Sequence, residues 1–226
     1  MIDELILNAL KEDVGEGDHS SLACIGAKEK GSARLEVREA GIIAGIDVAR
    51  RIFELFDSSL KLEVFISDGS SVKPGDVAFI VEGAARSILT TERLVLNIMQ
   101  RMSGIATQTN QMVKMIAHTN ATLLDTRKTT PNFRLFEKQA VLIGGGGNHR
   151  FGLYDMVMIK DNHIDFAGGV AEAITTTVNY LKSKRKKLSI EIEVRNKEEL
   201  KEVVRVGGVD RIMLDNFSPV EIKEAL

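Results

Sequence analysis

Apolar residues at Leu5, Ile6, Ala9 and Leu10 recur at helical spacing, so Asp3 to Asp13 predicts an amphipathic helix. It runs into Asp13-Val14-Gly15-Glu16-Gly17-Asp18-His19-Ser20-Ser21, where glycines and small polar residues predict a loop. Strand-like runs follow at Ala33 to Arg38, Lys61 to Ser67 and Val77 to Glu82, with a helical interval at Asp47 to Phe56. Asp68 to Asp76 carries Gly69, Pro74 and Gly75 and predicts a turn between the last two strands. From Thr90 to about Ala117 the spacing is helical again, with a break expected at Ser103-Gly104.

The rhythm then changes. Short apolar strands end in charge: Ala121 to Leu124 into Asp125-Thr126-Arg127-Lys128, Asp155 to Ile159 into Lys160-Asp161-Asn162-His163, Leu188 to Val194, and Arg211 to Leu214 into Asp215-Asn216. Helical stretches lie between, near Gly169 to Leu181 and Lys197 to Val206, and Gly207-Gly208 reads as a helix stop. This alternation predicts parallel βα units, whose chemistry in α/β barrels gathers at the carboxyl ends of the strands. In Leu188 to Val194, Ser189, Glu191 and Glu193 share one face. On an antiparallel sheet that face would meet water; inside a barrel the two acids require cationic partners.

The predicted architecture is α/β: an N-terminal α/β (α+β) sandwich domain with its linking helix over 1–106, then an incomplete α/β barrel over 107–226. Ser218-Pro219-Val220-Glu221 is a capping box that starts a helix with only eight residues left, so the second domain is expected to be truncated at the C-terminus. An open α/β sheet is the alternative.

Composition excludes several classes. With 44% hydrophobic and 27% charged residues, disorder and fibrous repeats do not fit. The single cysteine, Cys24, has no internal disulfide partner, and no uncharged apolar run approaches the ~18–20 residues of a membrane span. Met1-Ile2-Asp3-Glu4 lacks the features of a signal peptide, so a cytoplasmic protein is expected, without membrane contact. The net charge of −2 divides into +3 between Arg127 and His163 and −5 elsewhere. Such a local basic site suits a small anion better than a polyanion, and aromatics at 5% are scarce for base stacking, so no nucleic-acid partner is expected.

Three stretches carry candidate chemistry. Asp125-Thr126-Arg127-Lys128-Thr129-Thr130-Pro131 has adjacent cations and three hydroxyls, suited to carboxylate or phosphate oxygens. Gly144-Gly145-Gly146-Gly147-Asn148-His149-Arg150 offers backbone freedom for close approach to an anion. Tyr154 to Ile164 ends a strand in Lys160 and His163. Taken singly, each also reads as an ordinary charged loop, flexible loop or solvated strand end.

DTRKTTP, GGNHR followed by FGLYD, and IKDNHI occur in that order after EDVGEGDHSS, and together the chain resembles quinolinate phosphoribosyltransferase, the carboxylating nicotinate-nucleotide pyrophosphorylase. Thr91-Glu92-Arg93, Ser103 to Thr107, Glu191 to Val194 and Leu214 to Phe217 extend the resemblance from about Glu12 to the last residue. It implies a transferase of NAD biosynthesis that joins quinolinate to phosphoribosyl pyrophosphate, giving nicotinate mononucleotide, pyrophosphate and carbon dioxide.

The resemblance assigns quinolinate to Arg93, Arg127, His149, Arg150 and Lys160. Arg93 would come from a neighbouring subunit, which implies a homodimer and leaves a hexamer open. Lys128 would approach the departing pyrophosphate. Glu193 and Asp215 would lie near the ribose and Mg2+, reached directly or through water and substrate. The implied catalytic set is therefore Lys128, Glu193 and Asp215.

Other residues have plainer expectations. Asp18 and His19 read equally as turn or capping residues and as substrate contacts; His163 is expected to orient the Lys160 loop. Lys182 to Lys187 reads as a solvated loop, and Met99, Met102, Met112 and Met115 as core or subunit packing. The resemblance further expects about two more βα units, roughly sixty residues, with a Ser-Gly-Gly stretch and a small-residue turn for the ribose phosphate. Alternatives are a related phosphoribosyltransferase acting on another base, a barrel lyase using Lys160 as a Schiff base, and an inactive ligand-binding or oligomerisation fragment.

Overall fold

The computed structural model describes residues 1–225 and divides into two compact units, Met1–His149 and the residues from Arg150 onward.

The first unit opens with α1 (Ile2–Val14), whose apolar spacing buries Ile6 and Leu10. The expected loop to Ser21 is shorter than predicted, because α2 (His19–Cys24) starts inside it. Asp18 is its N-cap, accepting from Ser21 N at 3.0 Å and Thr90 Oγ1 at 3.1 Å, so one orphan helix donor is satisfied. After β1 (Lys30–Glu36) and β2 (Gly41–Ile42) come α3 (Ile46–Phe56), β3 (Lys61–Val64), β4 (Ser71–Val72) and β5 (Val77–Ala84). The antiparallel sheet runs β1-β5-β3, while β2 and β4 form a separate two-residue ladder that reaches into the predicted turn region. Ala78, Phe79 and Val81 of β5 and Ile46, Val48, Ala49, Ile52 and Phe53 of α3 join one hydrophobic core.

Helix α4 (Ala85–Ile116) adds Ile88, Val95, Ile98, Met99, Met102 and Ala106 to that core. It runs unbroken through Ser103-Gly104, contrary to the expected break. Ser103 Oγ donates to the Ala44 carbonyl at 3.2 Å and accepts Ala44 N–H at 2.9 Å, and flanking Met102 and Ala106 are fully buried. Packing thus outweighs the modest helix penalty of a single glycine. Met112 and Met115, by contrast, are exposed. The expected strand Ala121 to Leu124 reduces to one parallel bridge, Leu124 with Gly147. Helix α5 (Arg134–Ile143), absent from the sequence-based expectation, supplies Phe136 and Ala140 to the core.

The second unit repeats strand and helix: β6 (Val157–Ile159), α6 (Asp161–Ala167), α7 (Val170–Ser183), β7 (Ile190–Val194), α8 (Lys197–Val206), β8 (Arg211–Leu214) and α9 (Pro219–Ala225). Gly207 ends α8 at φ 67°, in the region that glycine adopts without strain. The predicted capping box forms: Ser218 N donates to Glu221 Oε2 at 2.8 Å, and Glu221 N donates to Ser218 Oγ at 3.3 Å. The three strands form a parallel sheet, β6-β7-β8. An N-terminal α/β unit followed by a parallel α/β unit is therefore present.

The register explains the faces of this sheet. Ile159, Ile192 and Ile212 are neighbours, as are Val194 and Leu214, and this apolar face joins α6, α7 and α8 in a second core. The alternate positions Met158, Glu191 and Arg211 are neighbours on the other face, with Glu193 beside Met213. Strand alternation carries that face on to Lys160 and Asp215 at the carboxyl ends.

Candidate functional site

In the second unit, Glu191 and Glu193 have the cationic partners that inward carboxylates require. Glu191 is fully buried, and its Oε2 accepts from Arg211 Nη1 at 3.2 Å. Glu193 Oε2 lies 3.3 Å from Lys160 Nζ, so a residue assigned to quinolinate touches one assigned to the ribose. His163 Nδ1 accepts the Lys160 backbone N–H at 2.9 Å and thereby fixes the start of α6. Asp215 N–H donates to the Val194 carbonyl at 3.0 Å, and Asp215 Oδ2 accepts from Asn216 Nδ2 at 3.0 Å. The two strand ends and their carboxylates are thus tied to one sheet edge. Arg150 Nη1 donates to the Met156 carbonyl at 3.4 Å. Burial works to raise the Asp155 carboxyl, but the N–H groups of Phe151 and Gly152, helped by Arg150, hold it below the usual carboxylate value.

The donor set fits magnesium in one manner. Among the described residues no group of three or more His, Cys, Asp and Glu side chains could hold a metal ion. Glu193 and Asp215 offer hard oxygen donors only, which suits an ion that keeps water and takes substrate phosphate oxygens.

In the first unit, the DTRKTTP and GGGGNH segments are fastened together. Leu124 and Gly147 form their bridge, with Gly147 N donating to the Leu123 carbonyl at 2.8 Å and Asp125 N to the Gly147 carbonyl at 3.1 Å. The Asp125 carboxylate is ion-paired to Lys138 Nζ and accepts His149 N–H at 2.8 Å. Asn148 Nδ2 donates to Asp125 Oδ2 at 2.7 Å and to the Lys138 carbonyl at 3.0 Å, the amide orientation its neighbours dictate. Lys128 N–H donates to Thr126 Oγ1 at 3.0 Å, closing a local turn. Arg127 has a buried Nε–H that finds no hydrogen-bond partner among the described residues.

The glycine run behaves differently from its expectation. A Cβ on Gly144 would sit 2.5 Å from the Ala106 carbonyl oxygen and 2.7 Å from Thr109 Cβ, so this glycine serves the close approach of α5 to α4 rather than of backbone to an anion. Arg93 is exposed on α4. It borders a cavity of about 850 Å³ with Arg38, Gln100 and Gln111, and neither Arg127, Lys128 nor His149 lines that space.

Sequence reasoning passed over Glu137, which anchors the other end of the DTRKTTP loop. Its Oε2 accepts Thr130 N–H at 3.0 Å, and its Oε1 accepts Thr130 Oγ1 at 2.9 Å and Arg101 Nη2 at 2.7 Å. The available signal was an adjacent Glu-Lys pair inside the otherwise apolar face of α5. Burial works to raise the Glu137 carboxyl, but Arg101 and Thr130 outweigh it and hold it below the ordinary 4.5. A group with a lowered folded pKa stabilises above its unfolded pKa, and that stability vanishes as pH falls through the folded value. Melting curves of the wild type and Glu137→Gln are therefore expected to differ most near neutrality and to converge below the ordinary carboxylate range. A separation that persists unchanged at acid pH would exclude ionised Glu137 as the anchor.

The comparisons with known proteins cover both units. The family model described as quinolinate phosphoribosyl transferase, N-terminal domain, matches residues 18–103, and that of the C-terminal domain matches residues 105–226. A chloroplastic, carboxylating nicotinate-nucleotide pyrophosphorylase of Oryza sativa subsp. japonica is 49% identical over 215 residues, covering 92% of this chain and 57% of its own length. A decarboxylating quinolinate phosphoribosyltransferase of Nicotiana tabacum is also 49% identical over 215 residues, covering 92% of this chain and 61% of its own. The crystal structure of NadC from Streptococcus pyogenes superposes with a TM-score of 0.92 at 40% identity, covering 99% of this chain and 78% of that one. The chain thus spans about three fifths of the length of the plant relatives. No helix among the described residues is long and apolar enough to cross a membrane.

Proposed function

We propose, since this chain belongs to the quinolinate phosphoribosyltransferase family, that it transfers a phosphoribosyl group to quinolinate with loss of carbon dioxide. The observation that carries the reading is the fastened cationic loop with the buried Arg127 Nε–H, which has no partner among the described residues and suits a carboxylate oxygen. Quinolinate bears two carboxylates, and the family resemblance assigns the opposing charge to Arg127 and His149 of the first unit and to Arg150 and Lys160 of the second. Several cations offset the cost of removing one dianion from water. As the family resemblance assigns it, Arg93 would complete the pocket of a second copy in a homodimer.

The ring nitrogen attacks the anomeric carbon, and the bond to pyrophosphate breaks with its electron pair leaving on oxygen. Lys128 meets the charge that builds on the leaving group, while Glu193 and Asp215 stabilise the positive charge developing on the ribose. The same two carboxylates would hold Mg2+, which when bound neutralises phosphate charge and orients the pyrophosphate. Lys160, held 3.3 Å from Glu193, sets the pyridine carboxylate beside the ribose. Once the nitrogen is quaternised, the adjacent carbon–carboxylate bond breaks, the ring accepts the electron pair, and a proton from water completes nicotinate mononucleotide. No side-chain nucleophile is needed, since positioning carries the rate. The exposed, unpaired Cys24 suits a reducing, cytoplasmic location.

With quinolinate labelled in the carboxylate adjacent to the ring nitrogen, phosphoribosyl pyrophosphate and magnesium, the expected products are pyrophosphate and labelled carbon dioxide, one of each per nicotinate mononucleotide. A folded chain that binds both substrates but releases no labelled carbon dioxide overturns the assignment. Turnover of nicotinate without that release would transfer it to another base.

A further inference from the structure

We propose, building on the quinolinate reading, that Glu137 and Lys138 are positioning residues that clasp the loop carrying Arg127 and Lys128 at both ends and set His149 through Asp125. The two are consecutive on α5, of opposite charge, and both buried. Glu137 takes the far end of the loop through both the N–H and the hydroxyl of Thr130, at 3.0 and 2.9 Å. Lys138 takes the near end through Asp125; the Lys138 and Asp125 side chains are only 2% and 7% exposed. Arg101 braces Glu137 at 2.7 Å and reaches Thr130 Oγ1 at 3.2 Å.

The geometry has a chemical purpose. Asp125 and Glu137, both with buried carboxylates, fix the chain on either side of Arg127 and Lys128 through Lys138 and Thr130. Asp125 extends the same tether to His149 N–H at 2.8 Å and to Asn148, so three residues assigned to the substrates share one support. The ordering cost of the loop is then met during folding, and binding of the dianion proceeds to a prepared site. Mere stability is a weak reason for a buried ion pair, because well-packed apolar residues commonly serve as well.

The test uses Lys138→Met, Glu137→Ala and Glu137→Gln in the full 226-residue chain. Backbone hydrogen exchange is followed in the free protein, and quinolinate binding is followed by titration calorimetry. Glu137→Ala and Lys138→Met are expected to speed exchange at residues 125–130 and 147–149 at least tenfold, with β5 and α3 as protected as in the wild type. Quinolinate affinity is expected to fall tenfold or more in both. Glu137→Gln keeps an acceptor for Thr130 and is expected to recover most of that loss.

Unchanged loop protection and affinity, or a Glu137→Gln as defective as Glu137→Ala, overturns the clasp. If Lys138→Met does not fold, the Glu137 pair of variants decides. If the wild type takes no quinolinate, the functional reading falls, and the exchange measurements still judge the clasp by themselves.

Discussion

Arg127→Ala is expected to weaken quinolinate binding by about 2–4 kcal/mol, roughly 30- to 1,000-fold, because a charged partner of a desolvated carboxylate is removed. The fold has little to lose by this change. The Arg127 carbonyl accepts from Arg134 Nη2 at 3.4 Å, a contact that alanine retains, and the Arg127 Nε–H has no partner among the described residues to forfeit. The loop itself is secured by Asp125 and Thr130, not by the arginine side chain. Melting temperature should therefore stay close to that of the wild type while calorimetric affinity collapses. Arg127→Lys should restore little, since an ammonium cannot reproduce the planar fork that meets both oxygens of a carboxylate. A folded Arg127→Ala with wild-type quinolinate affinity would remove this residue from the pocket.

The distinction between support and contact marks the limit of what was legible in the chain. Candidate ligand contacts stand out as charge in otherwise apolar or small-residue stretches, and Arg127, Lys128, Lys160 and Glu193 were readable that way. The alternation of β7 also foretold that Glu191 and Glu193 share a face and need cations, and Arg211 and Lys160 supply them. Support was harder to read because it depends on contacts distant along the chain. Lys138 meets Asp125 thirteen residues away, and Arg101 meets Glu137 thirty-six residues away. Neither spacing belongs to a helix or strand period. Two local expectations failed for related reasons. Ala121 to Leu124 has the composition of a strand but finds a bridging partner only at Leu124. Ser103-Gly104 looks like a break until Ser103 is seen hydrogen-bonded to Ala44 and the flanking residues to be buried.

Glycine provides the sharper test of that lesson, because two glycines that look alike in the chain are expected to respond in opposite directions to the same substitution. Gly144 closes α5 with an ordinary helical backbone, φ −72° and ψ −4°, so dihedral freedom is not its role. A methyl group there would lie 2.5 Å from the Ala106 carbonyl oxygen, in the middle of a helix that cannot move without disturbing buried Met102 and Ala106. Overpacking of this kind costs about 1–3 kcal/mol, and where rigid backbone is the obstacle the upper part of that range applies. For a chain of this size that corresponds to a fall in melting temperature of roughly 5–10 °C. The displacement would also reach the site, because Gly146 N–H is bonded to the Val141 carbonyl at 3.0 Å and Gly147 N–H to Leu123 just before His149. Gly144→Ala should accordingly lose quinolinate affinity as well as stability. Gly104, inside α4, has a helical backbone, and a methyl group added there would meet nothing within 4 Å. Gly104→Ala is expected to gain about 0.5–1 kcal/mol from reduced freedom of the unfolded chain and better helix propensity. Thermal melts of the two variants beside the wild type decide the matter: shifts of equal sign would show that the α4–α5 contact does not govern the glycine run.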